Sequence, residues 1–246
     1  MTITIDTLTE RDIAKTIDHS LLRPELDDAF VEDGCRLAAE YDVASVCVRP
    51  ADVRRARAIL EGTDVAVGTV IGFPHGNHLT ATKVFEAERA LADGATELDM
   101  VIQIGALKSG RDADVQADIA AIVEIAHRAG AIVKVIFENA YLSDDEKIRA
   151  CRLSEAAGAD FVKTSTGFAP GGATHDDLRL MRANTSPHIQ VKAAGGVRTL
   201  DALLEVMDLG VTRIGATATK AIIDDFRARK AGRTASPAAA VATGEY

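Results

Sequence analysis

The stretch Asp160-Phe161-Val162-Lys163-Thr164-Ser165-Thr166-Gly167-Phe168 reads as a short apolar strand that runs into a hydroxyl-rich turn closed by glycine. A lysine in the middle of such a strand is costly, because burial disfavours the charged form and lowers its pKa. The pattern recurs at Ile189-Gln190-Val191-Lys192-Ala193-Ala194-Gly195-Gly196-Val197-Arg198, where another lysine precedes a pair of glycines. On neighbouring strands the two ammoniums would stand about 5–7 Å apart. Like charges that close cannot both stay protonated easily, so one lysine becomes a neutral amine near neutral pH. A neutral lysine amine adds to carbonyl carbon and gives a Schiff base.

Both stretches sit in a repeating frame. Glycine-led joints precede strand-like runs at Gly62, Gly94, Gly130, Gly158 and Gly210, at intervals of 32, 36, 28 and 52 residues. The last interval holds one extra unit, in which Asn184 stands in for the glycine before the strand at Ile189. Gly or Asn after a helix predicts a left-handed C-cap. Strand then helix at this spacing is the βα unit of a parallel sheet. The strands fall at Ile17–Leu21, Ala44–Val48, Ala66–Ile71, Glu97–Ile102, Ile132–Phe137, Phe161–Thr164, Ile189–Ala193 and Arg213–Ala216. Helix signals lie between them. Ser143 with Glu146 forms a capping box, Thr174 with Asp177 a similar acidic start, and Thr199 precedes the stripe Leu200, Leu203, Leu204, Met207. Val84, Ala87 and Leu91 make another apolar stripe ahead of Gly94.

Eight such units in 246 residues predict a single-domain (β/α)8 barrel, a TIM barrel of class α/β. It covers 1–230 with a short N-terminal helix, and 231–246, rich in Ala, Thr, Gly and Ser, reads as a flexible tail. An open doubly wound sheet is the alternative, but no G-x-G-x-x-G follows the first strand. The hydrophobic share of 47% suffices for a large core, and a net charge of −9 disfavours general nucleic-acid binding. No apolar run approaches membrane-spanning length. Three cysteines, Cys35, Cys47 and Cys151, without metal-type spacing suggest reduced thiols and a cytoplasmic setting.

In a barrel of this kind the site lies at the C-terminal ends of the strands, and polar residues gather there. Lys163 is the candidate nucleophile. A lone strand lysine would more often be a buried cation paired with Asp99 or Glu138, but the second lysine at a matching place favours the nucleophile. Asp99 is a candidate for proton transfer, and equally a counter-ion for Lys134 or Lys192. Alternation along the fifth strand puts Lys134, Ile136 and Glu138 on one face. Gly195-Gly196-Val197-Arg198 and Gly215-Ala216-Thr217 lead into helices after strands seven and eight, where barrels often hold phosphate. His75 and His78 gather no third ligand in the sequence, so no metal is expected.

These residues match a known family. Ile17-Asp18-His19-Ser20-Leu21-Leu22, Val70-Ile71-Gly72-Phe73-Pro74-His75-Gly76, Glu97-Leu98-Asp99 and the two lysine stretches, in order, resemble deoxyribose-phosphate aldolases over about residues 12–229. The resemblance implies a class I aldolase on a (β/α)8 barrel, without metal or cofactor, acting in deoxyribonucleotide catabolism. It would cleave 2-deoxy-D-ribose 5-phosphate to acetaldehyde and D-glyceraldehyde 3-phosphate. By the same resemblance Lys163 forms the Schiff base, Lys192 lowers its pKa and joins a proton relay with Asp99, and Tyr246 reaches back to assist protonation. Asp18, Ser20, Thr166, Gly167, Gly195, Gly196, Arg198, Gly215 and Thr217 would bind substrate. The partners implied are a sugar phosphate and aldehydes, with no nucleic acid and no membrane, and a homodimer or higher homo-oligomer is compatible. Phe168 stands where some members carry Lys, and Thr217-Ala218 where a Ser pair is common, so phosphate affinity and use of unphosphorylated deoxyribose stay open. A different class I aldolase and a non-catalytic phosphate-binding barrel are the competing readings.

Overall fold

Along the strands, side chains of one parity are apolar and join the helix-facing core, as Leu98, Met100, Val133, Val135, Val162, Val191 and Ile214 do. Those of the other parity include most of the charged strand residues, with Phe161 and Ile136 among them, and they fill the space that the strands enclose. In the computed structural model, which describes residues 3–233, this pattern closes a parallel barrel in the order β1 to β8. The strands are β1 (Ile17–Leu21), β2 (Ser45–Val48), β3 (Ala66–Ile71), β4 (Glu97–Val101), β5 (Ile132–Ile136), β6 (Phe161–Lys163), β7 (Gln190–Ala194) and β8 (Val211–Ala216). Every bound lies within two residues of the expected one.

The helices are α1 (Glu10–Ala14), α2 (Asp28–Glu40), α3 (Val53–Ile59), α4 (Thr80–Ala92), α5 (Ile104–Lys108), α6 (Asp112–Arg128), α7 (Asp144–Ala156), α8 (His175–Ala183), α9 (Leu200–Asp208) and α10 (Thr219–Lys230). The local signals act as expected. Ser143 and Glu146 close a reciprocal capping box on α7, Thr174 accepts from the Asp177 N–H, and Thr199 from the Ala202 N–H. The repeating glycines all take positive φ. Asn184 does not. Its φ is −110°, its Nδ2 donates to the Leu180 carbonyl at 2.9 Å, and Arg182 collects the carbonyls of Ser186 and Ile189. With that guanidinium satisfying the loop's carbonyls, no left-handed reversal is needed. Of the expected tail, 234–246 lies outside the described residues.

One further buried ion pair ties the barrel to its helices. Lys83 on α4 is fully buried and donates to Asp118 on α6 at 2.6 Å and to the Val101 carbonyl at the end of β4 at 2.8 Å. Asp118 also accepts from Thr80 at 2.7 Å and from Gln103 at 3.2 Å. Removing one member leaves the other charge buried and uncompensated. Lys83→Met is therefore expected to cost about 3–5 kcal/mol of stability in urea unfolding. Lys83→Met with Asp118→Leu, which removes both charges, recovers a large part of that loss in the same measurement.

Candidate active site

Register brings the two lysines together. Lys163 and Lys192 are Cα partners across β6 and β7, and both side chains point into the barrel. They meet at one atom: each Nζ lies 2.7 Å from Asp99 Oδ2. The other Asp99 oxygen accepts from Lys134 at 3.0 Å, and Lys134 reaches Glu97 Oε2 at 2.5 Å. Lys192 also reaches Asp18 Oδ2 at 2.5 Å. Arg213 on β8 closes the lattice, to Asp18 Oδ1 at 2.6 Å and Glu97 Oε2 at 2.8 Å, while Ser45 donates to Asp18 Oδ1 at 2.8 Å. Among the described residues this lattice holds four cationic side chains, Lys134, Lys163, Lys192 and Arg213, against the carboxylates of Asp18, Glu97 and Asp99. One deprotonated lysine balances it.

Which lysine holds its proton less firmly follows from the partners. Burial pushes the Lys163 pKa down; Asp99 pulls it back, and the Lys192 charge adds to the lowering, so the net shift is downward. Burial acts on Lys192 too, but Asp18 and Asp99 outweigh it and its pKa is raised. Lys163 leans on one carboxylate that it shares, whereas Lys192 has two. Burial, rather than the like charge, is the larger cause of the Lys163 shift. Burial also acts on Asp99, but three lysines hold its carboxyl well below the usual carboxylate range. Asp18 is likewise lowered, as Lys134, Lys192 and Arg213 overcome its burial.

Above the lattice a cleft of about 520 Å³, open to solvent, lies at the C-terminal ends of the strands. Lys163, Lys192 and Asp18 form its floor; Ser20, Thr166, Gly195, Gly196, Arg198, Gly215 and Thr217 line it with them. Gly195 and Gly196 take φ of 79° and 92°, a left-handed pair that no side chain adopts easily and that shapes a concave backbone turn ahead of α9. Asp99 is fully buried beneath the floor, and Gly167 closes the turn next to Thr166 at φ 86°. Tyr246 lies outside the described residues.

Several features were not legible in the sequence. Glu138 departs from strand alternation: it sits at φ 58°, and its carboxyl takes the Thr166 N–H at 3.2 Å and the Thr166 hydroxyl instead of pairing with Lys163. Leu22, Cys47 and Val70, with Phe73 against them, form a separate apolar cluster in which Leu22 and Cys47 line the cleft. The Cys47 thiol is pushed up to about 11, chiefly by burial and then by the Asp99 charge, so it stays protonated near neutral pH. Phe168 packs edge-on against Phe73 with ring centroids 5.2 Å apart, and the Arg23 guanidinium lies 5.9 Å from its ring centre. Among the described residues, no three His, Cys, Asp or Glu side chains gather to hold a metal, His75 and His78 included. His19 is buried with Nδ1 2.9 Å from the Thr219 hydroxyl, on the α10 side of β1.

The family model for DeoC/LacD family aldolases matches residues 13–232. A deoxyribose-phosphate aldolase of Rhodopirellula baltica is 51% identical over 216 residues, 88% of this chain and 90% of that protein. One from Alkaliphilus oremlandii is 50% identical over 220 residues, 89% of this chain and 99% of that protein. Among solved structures, the tetrameric deoxyribose phosphate aldolase of Aeropyrum pernix superposes with a TM-score of 0.84 at 30% identity, covering 92% of this chain and 95% of that one.

The opposing influences on Lys163 make a signed expectation. In pH-dependent labelling by a small amine reagent, read by peptide mass mapping, the Lys163 midpoint lies below the roughly 10.4 of a free lysine. Asp99→Asn removes the carboxylate that holds the proton on and moves the midpoint lower. Lys192→Met removes the neighbouring charge and moves it higher.

Proposed function

This chain belongs to the DeoC/LacD family of aldolases, and on that premise we infer that it is a deoxyribose-phosphate aldolase, a class I carbon–carbon lyase that interconverts 2-deoxy-D-ribose 5-phosphate with acetaldehyde and D-glyceraldehyde 3-phosphate. The observation that carries the reading is the buried Lys163 amine on the cleft floor, with its pKa lowered beside an ion-paired second lysine. Neutral Lys163 Nζ adds to C1 of the open-chain sugar, and loss of water from the carbinolamine gives an iminium. Removal of the C3 hydroxyl proton then breaks the C2–C3 bond. Its electron pair flows into the iminium to give an enamine, and C3 leaves as the aldehyde carbon of glyceraldehyde 3-phosphate. Protonation of the enamine at C2 and hydrolysis release acetaldehyde and free Lys163.

The other groups take roles that follow from their charge. Lys192 holds its proton firmly, so its ammonium stabilises negative charge that develops on oxygen during addition and cleavage. Asp99 is a weak base with its pKa this low; it orients both lysines and passes a proton between them and a water. Tyr246 assists protonation of the enamine. Backbone N–H groups around Gly195, Gly196, Gly215 and Thr217, with Arg198, receive the phosphate. Asp18, Ser20, Thr166 and Gly167 complete the substrate contacts. Three buried free thiols support a reducing, cytoplasmic setting, and the tetrameric Aeropyrum pernix relative supports a homo-oligomer.

Incubation with acetaldehyde and borohydride is expected to leave an ethyl group on the peptide that contains Lys163, and on no peptide of Lys163→Ala, which also loses turnover. An unmodified Lys163 in the wild-type chain would sink the aldolase reading. Lys192→Leu is expected to lower cleavage about 10²–10⁴-fold in a coupled assay for glyceraldehyde 3-phosphate. Phe168, paired with Phe73 and standing where some family members carry Lys, favours tolerance of unphosphorylated 2-deoxyribose. Phe168→Lys accordingly raises the preference in kcat/KM for the phosphorylated sugar, by about 2–5-fold for a partly exposed charge pair.

A further inference from the structure

Between β5 and β6 the ladder slips by one residue. The Phe137 N–H donates to the Lys163 carbonyl at 3.0 Å, yet the next bond, from the Asn139 N–H at 2.9 Å, reaches Thr164 rather than Ser165. The residue that absorbs the slip is Glu138, at φ 58° and ψ 67°. A glutamate in the left-handed region is unusual, and an unpaired extra residue of this kind turns a side chain away from the regular strand direction. Here it turns the carboxyl to the loop that follows Lys163. Glu138 is only 2% exposed and is absent from the cleft lining, whereas its partner Thr166 is 4% exposed and lines the cleft.

The bonds at Thr166 fix what its hydroxyl can offer. Its proton goes to Glu138 Oε2, and one lone pair accepts from the Phe168 N–H at 3.0 Å. A hydroxyl has one proton and two lone pairs. What remains toward the cleft is a single lone pair, which accepts a hydrogen bond and cannot donate one. A phosphate dianion has no proton to give; a sugar hydroxyl does. We propose that Glu138 is a positioning residue for the aldolase reaction, one that locks Thr166 as a hydrogen-bond acceptor for a hydroxyl of the sugar substrate. The proposal rests on the aldolase reading above. It gives Glu138 no contact with the reacting atoms.

The test compares sugar cleavage with acetaldehyde loading in the same full-length variants. Acetaldehyde has no hydroxyl, so borohydride trapping at Lys163 reports the Schiff-base machinery without the Thr166 contact. Glu138→Ala is expected to lower kcat/KM for 2-deoxy-D-ribose 5-phosphate about 10–100-fold, as loss of one oriented hydrogen bond does. Trapping at Lys163 stays within about twofold of wild type. Glu138→Gln keeps a side-chain oxygen for both Thr166 donors and restores most of the cleavage. Thr166→Val shows the same split and serves if Glu138→Ala does not accumulate as folded protein, and the double variant is no worse than the poorer single one. Cleavage by Glu138→Ala or Thr166→Val near the wild-type rate overturns the proposal. So does a parallel loss of cleavage and trapping, which marks a collapsed site rather than a misaimed hydroxyl. Failure of the wild-type chain to trap acetaldehyde overturns the aldolase reading instead.

Discussion

The site depends on one carboxylate shared among three lysines. Asp99 receives Lys163 and Lys192 on one oxygen and Lys134 on the other, and all four groups are buried. Burying that many charges is unfavourable unless each is met by a partner of opposite sign. The lattice meets that condition nearly completely, with Asp18 and Glu97 taking the remaining cations. The excess of one cation is the useful part. Burial lowers the Lys163 pKa and the neighbouring positive charge adds to that, whereas Lys192, held by two carboxylates, is raised. The lowered pKa of Lys163 is thus a property of the whole interior.

This explains why the barrel is filled as it is. Barrel cores are commonly packed with branched apolar residues. Here most apolar strand residues face outward to the helices, and much of the interior is an ion-pair lattice built from β1, β4, β5, β6, β7 and β8. A closed sheet is well suited to hold it. Partners distant in sequence arrive on fixed, hydrogen-bonded strands, so the charges need little reorganisation when charge develops on a substrate. Lys83 and Asp118 extend the same principle outward and fasten the end of β4, two residues beyond Asp99, to α4 and α6.

Above the lattice the cleft has two kinds of wall. The loops after β7 and β8 present glycine backbone and Arg198, whereas the β1 to β3 side presents Leu22 and Cys47 backed by Val70 and Phe73. A phosphorylated polar product and a two-carbon aldehyde differ in the same way. Phe73, on that apolar side, packs edge-on against Phe168.

The barrel was legible because its signals are local: glycine-led joints at regular intervals, capping boxes, and strands of 3–6 residues with charge on one parity. The lysine pair, Asp99 and the glycine turns were legible for the same reason, since strand order and alternation alone put them at one end. Asn184 avoids the left-handed cap because Arg182 takes up the loop carbonyls, a contact that no capping pattern encodes. What only the tertiary structure decided is where charges meet. Residues 64 and 93 positions apart from Asp99 share its one oxygen, and the count of carboxylates around each amine chooses Lys163 over Lys192. Glu138 turns toward Thr166 through a slip between two strands that alternation could not foresee. Sequence specifies which groups are available and which way a regular strand aims them. The protonation of a buried group is set by every charge within a few ångströms, and those neighbours exist only once the barrel has closed.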